Sequence, residues 1–200
     1  MKVVLADYGA GNLRSLSSAL TRAGAEPVVT IDPELVADAP LAMIAGVGHV
    51  GSAAVGLRRN GLDDALRERV EAGRPVAGVC VGMQLFFGES EEGGRGLELL
   101  DGPVARLRGR VVPHMGWNTL EASRPSAILD GLDRADVYFA HSYAALPCDE
   151  GVTAATVDHD GRIVAAVERG PLAGVQFHPE RSGAAGARVL ENLLRWSRSA

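Results

Sequence analysis

Apolar positions along the chain fall into two textures. Up to about residue 90, short aliphatic or β-branched runs at residues 2–7, 26–31, 41–45 and 75–80 alternate with stretches of helical period. Leu13, Leu16 and Leu20 mark the first helix, which ends at Gly24, and Asp32-Pro33-Glu34 supplies an N-cap with proline at the first helical position. Residues 62–72 read as a charged amphipathic helix closed by Gly73. The second half is different. Short strands are predicted at 104–112, 116–121, 137–143, 152–158, 163–168 and 172–178, with little helix between them and a hairpin turn at Asp160-Gly161. A last helix over 184–198 turns Val189, Leu190, Leu193, Leu194 and Trp196 inward, and the chain shows no internal repeat.

Strands alternating with helices predict an α/β fold whose parallel sheet is covered on both faces, with ligands beyond the carboxyl ends of the strands. A chain of 200 residues with 46% hydrophobic content suits one domain, 1–200, whose central sheet is mostly parallel and whose C-terminal half is richer in β-structure.

The strand that stops at Cys80 carries the first chemical signal. Gly78-Val79-Cys80-Val81-Gly82 is the cysteine form of a G-x-S-x-G elbow, in which small flanking residues let a strained strand-to-helix turn push the nucleophile outward. A thiol needs help to ionise at neutral pH, and unpaired helix N–H groups with a nearby imidazolium supply it. A lone cysteine is also commonly a small buried hydrophobe, so a partner residue has to decide. Two other glycine-containing loops follow strands. Gly9-Ala10-Gly11-Asn12-Leu13-Arg14 has Arg where the third glycine of a dinucleotide fingerprint belongs. Gly46-Val47-Gly48-His49-Val50-Gly51 leaves backbone N–H groups exposed, which a plain turn also explains, and His49 reads as a loop residue with no role.

Composition removes several classes of function. The net charge of −5 and the scatter of arginines among acids argue against nucleic acid, and no run of about 18 apolar residues exists to cross a membrane, so a soluble cytoplasmic protein is expected. The two cysteines, Cys80 and Cys148, form neither a disulfide framework nor a metal-ligand spacing with the five histidines, and neither metal nor cofactor is expected. Lys2 is the only lysine, which leaves no residue for a Schiff base or a phosphate-loop lysine.

Among the histidines, His178 is the best placed to act as a base. In Gly174-Val175-Gln176-Phe177-His178-Pro179-Glu180, residues two apart leave a strand end on one side, so Glu180 can orient the His178 ring. A structural histidine is the alternative, and the distance in sequence from Cys80 does not discriminate.

Residues 78–85 (GVCVGMQL) with 176–180 (QFHPE) resemble the class I glutamine amidotransferases, and DYGAGNLRSL, GVG, PHMGWN, YFAHSY and HPERSG extend the likeness over nearly the whole chain. Within that family these stretches are most similar to the glutaminase subunits of imidazole glycerol phosphate synthase. The resemblance implies a flavodoxin-like three-layer fold and a Cys80-His178-Glu180 triad that cleaves the side-chain amide of L-glutamine. It implies an oxyanion site made by the N–H of Val81 and by the Gly46-Val47-Gly48 loop, through Val47 or Gly48. Gln84, Gly46, Ser142 and Tyr143 are implied to hold the substrate. It further implies a (β/α)₈-barrel cyclase subunit that receives the ammonia, with Asn12, Trp117, Tyr138 and Arg181 at the interface. Trp117 reads equally well as core. Ala45 and Arg181 depart from the family's usual Pro and Lys, so the rigidity of the loop and the geometry of an interface ion pair are open. The glutaminase subunit of pyridoxal phosphate synthase shares the triad, but PHMGWN argues against it. A non-catalytic relative would not need the triad and Gln84 intact.

Overall fold

The structure, a computed structural model, describes residues 1–10 and 13–199. The first half is built from β1 (Lys2–Ala6), α1 (Leu13–Arg22), β2 (Glu26–Thr30), α2 (Pro33–Asp38), β3 (Leu41–Gly46), α3 (Val50–Arg59), α4 (Leu62–Glu71), β4 (Val76–Cys80) and α5 (Val81–Gln84). The second half adds β5 (Val104–Arg106), β6 (His114–Thr119), β7 (Glu121–Ala122), β8 (Asp136–His141), β9 (Tyr143–Ala145), β10 (Thr153–Asp158), β11 (Arg162–Arg169), β12 (Leu172–Val175) and α6 (Gly183–Trp196).

Eight strands form one sheet in the order β2-β1-β3-β4-β12-β11-β10-β7. The neighbours from β2 to β12 run parallel, and β11, β10 and β7 continue the sheet antiparallel. The change of direction matches the change of texture in the sequence. Strands β1, β3, β4 and β12 are buried along almost their whole length, as expected of parallel strands covered on both faces. Two small ribbons, β5 with β9 and β6 with β8, project from the carboxyl end of this arrangement.

The expected elements recur with six differences. The run 116–121 divides at Leu120, so that β6 pairs with β8 while β7 joins the edge of the main sheet, and the run 172–178 is strand only to Val175, with a 3₁₀ turn over Pro179–Arg181. Helix α3 was not expected, because its small residues give a weak apolar signal. Val50, Ala53, Ala54 and Leu57 nevertheless share a helical face and are buried. The run 104–112 is strand only to Arg106; around Gly109 the chain leaves the ladder, and Arg110 is drawn to Asp160 by 2.7 and 3.1 Å bonds. The run 137–143 breaks at Ser142, so that β8 pairs with β6 while β9 pairs with β5. The helix after Cys80 is one turn long, because the N–H groups of Leu97, Glu98 and Leu99 take the carbonyls of Leu85, Phe87 and Phe86.

Arg69 of α4 was missed as a structural residue. It is buried, and its guanidinium donates to the carbonyls of Val36, Ala37, Ala39 and Pro75 at 2.8–2.9 Å. It thereby closes the C-terminus of α2, where the helix dipole is negative. Burial pulls its pKa down to about 10.

Candidate active site

Strand register brings the chemistry together. Gly46 of β3 lies opposite Cys80 of β4, and Val175 of β12 lies opposite Val79. The Gly46 loop, the elbow and residues 176–180 therefore leave the sheet at the same edge. Cys80 sits at φ 54°, ψ −111°, a conformation that non-glycine residues rarely adopt. The glycines on either side make it possible. A Cβ on Gly82 would collide with the Ile44 carbonyl, and one on Gly78 would come within 2.6 Å of the Gly82 carbonyl. Both are needed for the turn to fold back against β3 and β4.

His178 and Glu180 complete the set. His178 Nδ1 lies 2.9 Å from Glu180 Oε1, and both side chains are almost fully buried. Burial works against the imidazolium, but the Cys80 thiol and then the Glu180 carboxylate outweigh it, and the His178 pKa is pushed up to about 10. Nε2 is buried without a well-aligned hydrogen bond among the described residues, and Cys80 is the group nearest to supplying one, as is common before substrate tightens a site. With α5 only one turn long, the helix dipole is small. The charge on His178, more than the dipole, is therefore the main electrostatic feature beside the Cys80 sulfur.

A cavity of about 230 Å³ opens on the thiol, lined by Val47, Gly48, Cys80, Val81, Gln84, Glu92, His141, Ser142 and Tyr143 among others. Val81 is the first helical residue, so its N–H has no intrahelical acceptor, and it shares the cavity lining with Val47 and Gly48. These are the expected oxyanion donors. Gly46 packs under the loop: a Cβ there would strike the Tyr8 hydroxyl, which is buried and has no hydrogen-bond partner among the described residues. Burial raises the Tyr8 pKa above its ordinary value, with Cys80 and Asp7 adding to the effect.

Gln84 is oriented within the wall. Its Nε2 donates to the Tyr143 carbonyl at 2.8 Å and to Gln176 Oε1 at 2.9 Å, leaving only its own carbonyl oxygen for a ligand. Gln176 Nε2 in turn lies 3.6 Å from Cys80 Sγ. The Ser142 carbonyl is taken by Leu107 N–H at 2.9 Å. Sequence reasoning missed Gln176, although it stands two residues before His178 and the strand alternation could have suggested it. Glu92 was also missed. It offers a carboxylate to the cavity from a glycine-rich loop, and nothing in EEGG signals it. His49 is satisfied where it stands: it caps α3 through Gly51 N–H at 3.1 Å and donates to the Glu92 carbonyl at 2.6 Å.

Of the expected interface residues, Trp117 and Tyr138 are cross-strand partners on the β6–β8 ribbon, and Arg181 reaches them from the turn after His178. Trp117 is 59% exposed, which excludes the core reading, and packs edge-on against Tyr138 with centroids 6.0 Å apart. Arg181 lies over the Tyr138 ring at 4.6 Å. Asn12 falls outside the described residues. Tyr138 is also stitched to the His178 segment: its carbonyl accepts from His178 N–H at 2.9 Å, and Ser182 Oγ links Tyr138 N–H to the His178 carbonyl at 2.9 and 2.7 Å. Cys148 is a free, exposed thiol.

The family model for glutamine amidotransferase class I matches residues 4–196. The chain belongs to the class I glutamine amidotransferases. The amidotransferase is 48% identical over 200 residues to the imidazole glycerol phosphate synthase subunit HisH of Mycolicibacterium paratuberculosis, with 96% of each chain covered. It is 44% identical over 195 residues to the HisH subunit of Moorella thermoacetica, covering 96% of this chain and 93% of that one. At these identities it is a glutaminase of the HisH branch. In fold it is similar to a crystal structure of a glutamine amidotransferase, with TM-score 0.78, 23% identity and 98% of both chains covered. It is likewise similar to the structure of PurLQS from Thermotoga maritima, with TM-score 0.77, 21% identity and 98% of both chains covered.

Proposed function

We propose that this amidotransferase hydrolyses L-glutamine through a Cys80 thioester and hands the ammonia to a (β/α)₈-barrel cyclase subunit in the cytoplasmic synthesis of histidine. The observation that carries the chemistry is Cys80, held at positive φ at the mouth of a small cavity with a charged His178 behind it. The thiolate adds to the amide carbon, and the charge that develops on the amide oxygen is met by N–H groups of Val81 and the Val47-Gly48 backbone; one such donor is typically worth about 3 kcal/mol. His178 gives its Nε2 proton to the leaving nitrogen, the C–N bond breaks and ammonia departs. Water then adds to the thioester while Nε2 takes its proton, and collapse restores the thiolate and releases glutamate. Glu180 holds the ring with Nδ1 protonated. Glu92 carries the charge that suits the substrate's α-ammonium group, and the free oxygen of Gln84 offers a second acceptor.

Ammonia lost to water becomes ammonium, which is not a nucleophile, so transfer needs a sealed junction. The outer face of the β6–β8 ribbon supports that reading: Met115 and Trp117 are 65% and 59% exposed beside Tyr138 and Arg181, an apolar patch with one cation. Ammonia passing here leaves by the wall to which His178 is bonded.

The test compares the parent chain and Cys80→Ala, each with a cyclase subunit, on glutamine and on ammonium salt. Cyclisation by Cys80→Ala should be lost with glutamine and retained with ammonium. Retention with glutamine would refute the thioester route. Glutamate release that the partner leaves unchanged would refute the coupling between subunits.

A further inference from the structure

The inner side of the same ribbon holds a chain of hydrogen bonds that the chemistry above does not use. His114 and His141 are cross-strand partners, both buried. His141 Nδ1 lies 2.8 Å from the Tyr143 carbonyl, and a carbonyl can only accept, so Nδ1 bears the hydrogen. In a neutral ring Nε2 is then an acceptor, and His114 Nδ1, 2.9 Å away, must be the donor. That leaves His114 Nε2 to accept from Asn118 Nδ2 at 3.2 Å. The Asn118 amide is itself fixed, since Nδ2 also donates to the Asp158 carbonyl at 2.8 Å and Oδ1 accepts from Thr119 N–H at 2.8 Å. One assignment of every proton satisfies the whole series, and it requires both rings to be neutral. Burial, with the neighbouring imidazoles, holds both pKa values down to about 4.

The Tyr143 carbonyl at the end of this series also accepts from Gln84, which holds Gln176, which touches Cys80 Sγ. A continuous path thus runs from the partly exposed Asn118, next in sequence to Trp117, to the nucleophile.

We infer that His114 and His141 are positioning residues: as a neutral pair of fixed tautomer they hold the Tyr143 carbonyl, and through Gln84 and Gln176 the Cys80 thiol, in the geometry for attack. The inference rests on the glutaminase chemistry proposed above. It assigns a role to buried imidazoles of which one, His141, lines the cavity and the other, His114, lies behind it.

Packing and hydrogen bonding can be separated at His114, whose ring stacks between Phe139 at 4.5 Å and His159 at 4.1 Å. His114→Phe keeps the stack and removes both hydrogen bonds, whereas His114→Asn loses the ring but puts an amide N–H where Nδ1–H stood. With the cyclase subunit present, His114→Phe should lower kcat for glutamine at least tenfold and slow alkylation of Cys80 by a chloroketone analogue of glutamine in proportion. His114→Asn should recover most of both. In the parent, ¹⁵N spectra should show Nδ1 protonated and Nε2 bare in both rings. Equal activity of His114→Phe and the parent, the reverse order of the two variants, or an Nε2-protonated His141 would each overturn the inference. If His114→Phe does not fold, Asn118→Ala takes its place, with a threefold or greater loss of kcat expected and an unchanged kcat counting against the proposal. A parent chain that cleaves no glutamine would instead overturn the proposed function itself.

Discussion

Replacing Glu180 by Gln keeps the shape of the side chain and removes its charge, which isolates what the third member of the triad does. In the parent, Oε1 lies 2.9 Å from His178 Nδ1 and the two side chains are 9% and 6% exposed, so solvent screens the pair little. Unit charges about 4 Å apart at an effective dielectric near 20 attract by roughly 4 kcal/mol, a factor of about 10³ in the population of the imidazolium. The substitution adds a second fault. The new amide N–H can donate to Nδ1 and drive the ring proton to Nε2, where a bare nitrogen is needed to activate water. The equivalent Asp to Asn change in a serine triad costs about 10⁴ in kcat. A loss of about 10³ to 10⁴ in kcat for glutamine is therefore expected, read as glutamate release with the cyclase subunit present. Stability should respond to pH as well. The His178 pKa is about 10 in the folded protein and about 6.5 when unfolded, so the charged ring favours folding fully below about pH 6.5. That contribution fades as pH rises towards 10 and is absent above it. The variant, with a lower folded pKa, should lose less melting temperature across the window. A kcat within tenfold of the parent, or an identical pH slope, would refute the assignment of Glu180.

Three further outcomes follow from the packing and the surface. Gly82→Ala drives a methyl group into the Ile44 carbonyl and should cost about 1–3 kcal/mol or more, seen as a melting point lower by about 2–4 °C per kcal/mol together with slower Cys80 alkylation; an unchanged protein would mean the elbow does not press on β3. Arg69→Met takes a donor from four carbonyls, of which Ala37 keeps Arg74 and Pro75 keeps the Ala42 N–H while the buried bonds to Val36 and Ala39 are lost, and should lower the urea midpoint by the equivalent of about 2–3 kcal/mol, while an unshifted midpoint would contradict the role given to the guanidinium. Arg181→Ala removes an exposed contact with Tyr138 worth about 0.5–1 kcal/mol, so the melting point should barely move while affinity for the cyclase subunit, measured by titration, falls tenfold or more; undiminished affinity would take Arg181 out of the interface.

Features set by local chemistry were legible in the sequence. The parallel half announced itself through buried runs separated by amphipathic stretches. The elbow was visible because only small residues fit on either side of Cys80, and the pairing of Glu180 with His178 was found although a 3₁₀ turn over Pro179–Arg181, not the alternation of a strand, brings them together. What escaped depends on contacts between distant segments. The length of α5 is decided by residues 97–99, which take the carbonyls of Leu85, Phe86 and Phe87 just after it, and nothing in 81–87 says so. Helix α3 is made of small residues whose burial only the neighbouring sheet supplies. Gln176, Glu92 and the His114–His141 pair acquire meaning from partners up to about a hundred residues away. The second half was the least legible for a related reason. Short strands choose their neighbours by tertiary fit, and a break of one residue at Ser142 moves the chain from one ribbon to another.

The torsion angles of Cys80 have a consequence for how the protein ages under selection. A side chain at φ 54°, ψ −111° carries roughly 1–3 kcal/mol that glycine at the same place would not. Cys80→Gly should therefore yield an inert but sturdier molecule. Any lineage released from the need to cleave glutamine therefore has an easy downhill step open to it.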